Sequence, residues 1–276
     1  MRLKITLIVV FGLLSLGVKS QNTNPEMEKK VAELLSKMST EEKIGQMTQM
    51  TVTSFEAKGK PGEFDAEKLK EAIQKYHIGS ILNVPNPGAP TIQRWNEVIT
   101  TISKEADKSR LKIPVLYGID AIHGSSYTAG ATLFPQQIGM AATFNTAIVK
   151  KGAEISAYET RASSIPWVFS PDLDLPRNPS WSRMWESFGE DVYLSAQMGT
   201  AMIQGFEGND VGSKYNVASC MKHYIGYGST TTGKDRTPSI IPERILRQFD
   251  LTVYEAAIKA GSKSVMVSSG EINGTP

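Results

Sequence analysis

Residues 165–191 read IPWVFSPDLDLPRNPSWSRMWESFGED. The apolar run at 165–169 predicts a short buried strand, and the prolines and charged residues that follow predict an irregular loop. A buried core does not need so many carboxylates and arginines beside tryptophan rings. A polyhydroxylated ligand can hydrogen-bond to the charged groups and pack on the rings. We therefore interpret the segment as a strand that carries a binding loop. The alternative is a surface loop with exposed ion pairs, which contribute little stability.

Short apolar runs alternate with longer amphipathic segments on both sides of this stretch. The runs predict strands at 78–84, 113–119, 137–142, 166–169, 217–221 and 264–267. Helices are predicted to begin at Asn24-Pro25 and at Ser39, where Glu42 completes a capping box. Further helices are predicted at 90–107, 146–164, 192–206 and 242–260. This alternation is typical of an α/β fold with a parallel sheet.

Polar residues follow three of the predicted strands directly. They are Asp120 with His123, the loop at 172–183, and Lys222 with His223. An eight-stranded barrel gathers the carboxyl ends of its strands at one mouth, where such groups can meet. An open doubly wound sheet usually has a glycine-rich phosphate loop after its first strand, and the sequence has none. We therefore predict a (β/α)8 TIM-like barrel.

The first twenty residues have the pattern of a secretory signal peptide. Arg2 and Lys4 precede an apolar run at 5–16, and the small residue Ser20 follows. The run is shorter than the ~20 residues that a membrane span needs. We expect residues 1–20 to be a signal peptide, residues 21–276 to form one barrel domain, and the protein to be exported to the periplasm or the extracellular medium.

Composition excludes several kinds of partner. Without residues 1–20 the chain keeps 27 of its 30 Lys and Arg residues against 28 Asp and Glu, so it is nearly neutral. We expect neither nucleic acid nor a membrane as partner, because both need concentrated positive charge. The single cysteine, Cys220, excludes an intrachain disulfide, and three scattered histidines give no zinc-ligand spacing. We expect no metal and no other cofactor.

Five motifs occur in order along residues 21–276. They are MSTEEKIGQM at 38–47, GIDAIHG at 118–124, LPRNPSWSR at 175–183, KHYIGYG at 222–228, and SVMVS at 264–268 with NG at 273–274. In these motifs the sequence resembles glycoside hydrolase family 3, a β-glucosidase family whose N-terminal domain is a barrel. The resemblance covers essentially the whole of residues 21–276.

The resemblance implies a sugar-binding set. Asp120 would accept hydrogen bonds from two hydroxyls at the non-reducing end of the sugar, and Arg177, Lys222 and His223 would hold the remaining hydroxyls. A two-oxygen carboxylate suits vicinal hydroxyls, and cationic donors strengthen each bond. Other interpretations stay open: Asp120 as a helix cap, Arg177 as a structural residue, and Lys222-His223 as a strand end that pairs with a nearby acid.

Other residues of the central loop are open to two interpretations. For Arg183 and Glu190 we favour a structural ion pair that supports the loop. Trp181 and Trp185 are equally suited to packing and to stacking on a sugar. Ser269 stands where an aromatic residue is common in the family, so one wall of the sugar pocket would differ.

Glycoside hydrolysis needs two carboxyl groups. In the family, the nucleophile is an aspartate of a Ser-Asp-Trp type segment beyond the motif at 273–274, and the acid/base lies in a C-terminal domain. We therefore expect both beyond Pro276 and assign no catalytic residue. Tyr227 stands near the position where the β-N-acetylhexosaminidase branch has a histidine, which favours the glucosidase branch.

The expected function is hydrolysis of terminal non-reducing β-D-glucosyl residues of oligosaccharides or glucosides, with a retaining mechanism in the full-length protein. The expected partners are that substrate and the C-terminal domain. The barrel would be incomplete at its C-terminal end, and the chain would be an inactive fragment. A β-xylosidase, a broad β-glucan exo-hydrolase and a non-catalytic sugar-binding protein are the alternatives.

Overall fold

The computed structural model describes residues 24–276, so the predicted signal peptide at 1–20 lies outside the described residues. Within residues 24–276, every helix is too short or too polar to cross a membrane. The chain divides into two compact units, with the boundary between Ser39 and Thr40.

The first unit contains helix α1, Pro25–Lys37. The Oδ1 atom of Asn24 accepts hydrogen bonds from the backbone nitrogens of Glu26 and Met27, at 3.1 and 3.3 Å. With proline at the first helical position, these bonds satisfy donors that a helix N-terminus otherwise leaves without partners. The predicted start of the first helix is therefore confirmed.

The second unit alternates strands and helices. The strands are β1 (Gln49–Thr51), β2 (Glu56–Ala57), β3 (Lys60–Phe64), β4 (Ser80–Leu82), β5 (Leu116–Ile119), β6 (Trp167–Val168), β7 (Ala218–Tyr224) and β8 (Ser264–Val267). The helices are α2 (Thr40–Gln46), α3 (Ala66–Lys70), α4 (Ile92–Ala106), α5 (Gln137–Ala141), α6 (Thr146–Ala162), α7 (Val192–Glu207), α8 (Glu243–Ile245) and α9 (Leu251–Ala260). One π-helical turn extends α3 to Lys75, and another joins α8 to α9.

Six strands form one parallel sheet in the order β1-β4-β5-β6-β7-β8. Strands β2 and β3 form a separate antiparallel pair. Because each crossover moves one strand along the sheet in the same direction, the sheet curves as part of a barrel. The fold is an incomplete (β/α)8 barrel, as the sequence predicted.

Two apolar clusters form the core around this sheet. Residues from β4, β5, α3 and α4 form the first, in which the rings of Trp95 and Tyr117 meet edge to face at 5.6 Å. Residues from β6, β7, α6, α7 and α9 form the second. Both lie between the sheet and its covering helices, which leaves the carboxyl ends of the strands free for polar groups.

One predicted strand is wrong. Residues 137–142 form the short helix α5 and not a strand. Met140 and Ala141 are buried on one side of it, and periodicity alone does not separate a strand from a helix in so short a run. The polar residue Gln137 is fully buried there, where its side-chain amide hydrogen-bonds to the backbone of Asp172.

The sequence also missed β1 and the β2–β3 pair. Strand β1 has only three residues, Gln49–Thr51, and none of them is fully buried. The predicted helix at 242–260 is present, although a π-helical turn at Leu246–Asp250 interrupts it. Deviations of this size are expected for short elements without a strong apolar period.

The contact between α6 and α7 gives a test of the packing. A Cβ atom on Gly205 of α7 would lie 2.4 Å from the carbonyl oxygen of Lys150 and 2.6 Å from Cβ of Ala153, whereas one on Gly152 of α6 would lie 3.6 Å from Phe134. We expect Gly205→Ala to lower the free energy of unfolding by about 1–3 kcal/mol through overpacking. Gly152→Ala should be neutral or stabilising by up to about 1 kcal/mol. Urea denaturation of both variants checks this, and equal effects would contradict the packing described.

Candidate functional site

The carboxyl ends of β5, β6 and β7 bring together polar residues that are distant in sequence. Asp120 follows β5, Asp172 and Asp174 follow β6, and Lys222 and His223 lie near the end of β7. The three strands are neighbours in the parallel sheet, so their carboxyl ends lie side by side.

Backbone hydrogen bonds fix the loop after β6 against β7. The nitrogen of Lys222 donates to the carbonyl of Pro171 at 3.0 Å, and the nitrogen of Leu173 donates to the carbonyl of Lys222 at 2.7 Å. On the other side of the loop, the side-chain amide of Gln137 donates to the carbonyl oxygen of Asp172 at 2.7 Å and accepts from its nitrogen at 3.0 Å. The loop is therefore held as an extension of the sheet.

Lys222 and Asp120 form an ion pair across 102 residues of sequence. The Nζ atom of Lys222 lies 2.5 Å from Oδ1 of Asp120. The Lys222 side chain is 2% exposed and that of Asp120 is 36% exposed. A buried ammonium group needs such a partner, because burial of an unpaired charge is costly. Asp120 therefore compensates Lys222 and still presents part of its carboxylate to solvent.

His223 is held from both sides of its ring. Its Nδ1 lies 2.7 Å from Oδ2 of Asp174, and its backbone nitrogen donates to the same oxygen at 3.2 Å. Its Nε2 lies 3.3 Å from Nη1 of Arg183. Because a guanidinium nitrogen only donates, Nε2 must carry the lone pair and Nδ1 the proton. Burial lowers the pKa of His223 to about 4, which keeps the ring neutral.

Both carboxyl groups that follow β6 are buried. Asp172 is 0% exposed and Asp174 is 2% exposed. The nitrogen of Asp174 donates to Oδ1 of Asp172 at 3.0 Å. Burial raises the pKa of Asp172 well above its ordinary value, and the nearby Asp174 carboxylate adds to this effect. Burial also raises the pKa of Asp174, to about 7.

Arg183 forms an ion pair within the loop, as expected, but its partner is Glu186. The expected pairing with Glu190 is wrong: Nε and Nη2 of Arg183 donate to the two oxygens of Glu186 at 2.8 and 2.6 Å, and Glu190 is exposed. The reason is local, because a short 3₁₀ turn at Met184–Glu186 brings the carboxylate three residues away back to the guanidinium group.

Arg177 lies apart from this cluster. Its guanidinium carbon stacks 4.7 Å from the ring centroid of Phe249. It lines a different cavity, together with Asn178 and Ser229. Burial raises the pKa of Asp250 to about 6, and the charge of Arg177 opposes that rise. The structure thus brings Asp120, Lys222 and His223 together with Arg183, and leaves Arg177 outside.

A cavity of about 270 Å³ opens beside Asp120. Its lining consists of Asp120, Ile122, His123, Ser126, Tyr127, Gln136, Arg183, Trp185 and Glu186. Trp185 is 50% exposed and faces this space, whereas Trp181 is 2% exposed and packs edge to face on Tyr227. Charged groups beside two aromatic side chains make the cavity suitable for a small polar ligand with apolar faces.

Sequence reasoning missed Asp174, Tyr127 and Gln136 as parts of the site. The sequence does contain a signal for Asp174, because an Asp-Leu-Asp triplet lies just after a predicted buried strand. Tyr127 and Gln136 carried none, because they lie in the irregular segment between β5 and α5.

Asp172, Asp174 and His223 are the one group within residues 24–276 whose spacing is compatible with a metal ion, with ligand atoms within 4.8 Å of one another. However, the 2.7 Å separation of Nδ1 and Oδ2 is that of a direct hydrogen bond. The positive charges of Lys222 and Arg183 also act on Asp174 and on His223, and that of Lys222 acts on Asp172. A metal cation would add to this positive charge. The geometry is that of a hydrogen-bond network.

The unequal burial of Lys222 and Asp120 leads to a prediction. Asp120→Ala leaves the buried ammonium group of Lys222 without a partner and should lower the free energy of unfolding by about 2–4 kcal/mol. Lys222→Met leaves a carboxylate that water can reach and should cost about 1 kcal/mol. Chemical denaturation at pH 7 compares the two, and a larger loss in Lys222→Met would contradict the account.

The family described as "Glycosyl hydrolase family 3 N terminal domain" matches residues 39–276. The lysosomal beta glucosidase of Dictyostelium discoideum is 42% identical over 262 residues, which cover 89% of this chain and 32% of that protein. The periplasmic beta-glucosidase of Salmonella typhimurium is 32% identical over 247 residues, 89% of this chain and 29% of that protein.

Solved structures show the same likeness. The exo-1,3/1,4-beta-glucanase from a Pseudoalteromonas species matches 93% of this chain with a TM-score of 0.81 and 32% identity, over 32% of its own chain. The beta-glucosidase from Listeria innocua in complex with isofagomine matches 90% with a TM-score of 0.75 and 32% identity, over 33% of its own chain. The chain spans about a third of the length of these relatives. It belongs to glycosyl hydrolase family 3, and residues 39–276 correspond to the N-terminal domain of that family.

Proposed function

We propose that this chain provides the sugar-binding part of a glycoside hydrolase that removes β-linked glucosyl units from the non-reducing end of oligosaccharides or glucosides. The observation that carries the proposal is that Asp120 and Arg183 line one cavity, while Lys222 lies against Asp120 and His223 against Arg183 directly behind them. Relatives that are β-glucosidases or a β-glucanase support the substrate class.

In this proposal Asp120 accepts hydrogen bonds from two sugar hydroxyls. Its carboxylate is partly exposed and is fixed in place by the Lys222 ammonium group. Lys222 and Arg183 donate to sugar oxygens. The Nε2 lone pair of His223, which accepts from Arg183 in the free protein, accepts from a sugar hydroxyl in its place when the ligand binds. Arg183 takes the role expected of Arg177, because Arg183 lines the cavity and hydrogen-bonds to His223.

We assign neither catalytic carboxylate to this cluster. Asp120 is held in an ion pair, and Asp172 and Asp174 are too buried to reach an anomeric carbon. We propose that the nucleophile and the acid/base of a retaining mechanism lie beyond Pro276, the latter in a C-terminal domain, as the family resemblance implies. On this view the 276 residues alone bind sugar without cleaving it.

The test uses the protein encoded by the complete reading frame that contains this sequence. Asp120→Asn should lower kcat/KM for an aryl β-glucoside by about 100-fold or more, since each hydrogen bond to a charged group contributes about 1.5–3 kcal/mol. Asp107→Asn, an exposed carboxylate at the end of α4, is the matched control. Undiminished turnover in Asp120→Asn would rule out the role given to Asp120.

The two arginines of the loop provide a second test. Arg183→Lys should lower kcat/KM by about tenfold or more, because lysine cannot reproduce the planar fork. Arg177→Lys should leave kcat/KM within about threefold and cost about 0.5–1 kcal/mol of stability through the lost stacking on Phe249. Steady-state kinetics and thermal unfolding measure the two effects separately. A larger loss of kcat/KM in Arg177→Lys than in Arg183→Lys would mean that Arg177, and not Arg183, binds the sugar.

A β-xylosidase is the second candidate. A putative beta-xylosidase of Formosa agariphila is 32% identical over 262 residues, which cover 92% of this chain and 34% of that protein. The same assay with aryl β-xyloside beside aryl β-glucoside distinguishes the two, and a higher kcat/KM for the xyloside would displace the glucosidase proposal.

We also propose that the protein is exported. Support comes from the order of charged, apolar and small residues at 1–20 and from the periplasmic relative in Salmonella typhimurium. N-terminal sequencing of the protein recovered from periplasm or medium should begin near Gln21, and an intact Met1 would contradict export by cleavage.

A further inference from the structure

Two carboxyl groups are buried side by side beneath the sugar-binding residues. The backbone nitrogen of Asp174 donates to Oδ1 of Asp172 at 3.0 Å, and carboxyl oxygens of the two side chains lie within 4.8 Å of each other. Oδ2 of Asp172 and Oδ1 of Asp174 are both buried without a hydrogen-bond partner among the described residues. A buried oxygen without a partner is costly, so two of them at one place need a physical explanation.

The surrounding charges do not compensate two buried carboxylates. Lys222 is paired with Asp120, and Arg183 is paired through two hydrogen bonds with Glu186. These four charges cancel, and Asp174 adds one negative charge. The other titratable groups that act on this cluster are Tyr227, which packs on His223, and Asp250 and Tyr254 from the helical segment after Pro242. Within the described cluster, no cation is left for a second carboxylate.

His223 does not supply the missing positive charge. A doubly protonated ring would direct its Nε2 proton at the guanidinium group of Arg183, 3.3 Å away. Two donors and two positive charges would then face each other. The neutral ring, with its proton on Nδ1, satisfies both neighbours, because it donates to Asp174 and accepts from Arg183.

We propose that Asp172 and Asp174 hold one proton between them, with Asp172 as the neutral acid, and that this pair positions His223. The proton on Asp172 is donated to the Asp174 carboxylate, and Oδ2 of Asp174 fixes the Nδ1–H form of His223. The pair thus acts through His223 and not on the sugar. The inference about the proton stands on the geometry alone, whereas its importance for sugar binding rests on the proposed function.

A single shared proton explains the otherwise unsatisfied atoms. It gives both free oxygens a partner and leaves one negative charge, which accepts two hydrogen bonds from His223. The direction of the pKa shifts agrees with this arrangement. Burial raises the pKa of both acids, and the neighbouring Asp174 carboxylate raises that of Asp172 further, so Asp174 is the first of the two to ionise. Burial also lowers the pKa of His223 to about 4.

Asp172→Asn tests the shared proton, because an amide donates a hydrogen bond as the neutral acid does but cannot titrate. A group whose folded-state pKa is raised stabilises the fold at low pH, and that contribution is lost as the pH rises above the unfolded value. Between pH 5 and 7 the unfolding equilibrium constant of the wild type should therefore rise relative to Asp172→Asn, by up to tenfold per pH unit for one extra bound proton. Parallel stability curves would overturn the proposal.

The exposed carboxylate of Asp107 provides the matched control. Asp107→Asn should give a curve parallel to that of the wild type over the same range, because no buried proton is involved. Urea denaturation at each pH supplies all three curves. Asp172→Ala removes the hydrogen-bond donor altogether. If Asp172→Ala fails to fold, the comparison of the wild type with Asp172→Asn still decides the test.

The ring of His223 provides a second readout that a merely structural role would not affect. The chain has only His77, His123 and His223, so ¹⁵N spectra of the histidine rings can be assigned. His223 should show the neutral Nδ1–H form from pH 5 to 8 in the wild type and in Asp172→Asn, and lose it in Asp174→Ala. An Nε2–H form or a charged ring above pH 6 in the wild type would overturn the proposal.

Calorimetry with isofagomine on the same proteins separates this inference from the proposed function. If the wild type does not bind the compound while the proton linkage and the ring form are as expected, the proposed function fails and the acid pair stands. If it binds and the linkage is absent, the acid pair fails and the sugar site stands. Binding in Asp172→Asn should stay within about threefold of the wild type, and a loss in Asp174→Ala should be tenfold or more.

Discussion

The ion pair between Lys222 and Asp120 is the interaction on which the rest of the site depends. It joins the ends of β7 and β5 at 2.5 Å, across the intervening strand β6. The Lys222 side chain is 2% exposed, and burial of an ammonium group without an acid partner would be costly. Asp120 has the geometry to compensate that charge and still reach a ligand. The pair therefore links the positions of the ends of β5 and β7 to the shape of the proposed sugar site.

The loop after β6 fills the space below this pair with a continuous hydrogen-bond network. It runs from the buried acids through His223 to Arg183 and Glu186. His223, Arg183 and Glu186 each meet a partner of complementary character in it, which is what a low-dielectric environment demands. This arrangement fixes side chains from distant parts of the sequence in one geometry, so that less ordering would be needed when the proposed sugar ligand binds.

Much of this could be predicted from the sequence, and the failures have physical reasons. Polar residues directly after short apolar runs correctly indicated the meeting of Asp120 with Lys222 and His223, because parallel strands share one carboxyl edge. The same reasoning did not separate Arg177 from Arg183. In an irregular loop no periodicity tells which way a side chain points, and Arg177 turns to Phe249. The helix at Gln137–Ala141 was missed because so short an apolar run fits either period.

The most direct measurement is a crystal structure of the protein encoded by the complete reading frame with isofagomine bound. The account predicts one sugar-like ring with polar atoms within hydrogen-bond distance of Asp120, Lys222, His223 and Arg183, and with Arg177 still stacked on Phe249. A ring bound away from Asp120, or one that contacts Arg177 in place of Arg183, would contradict it.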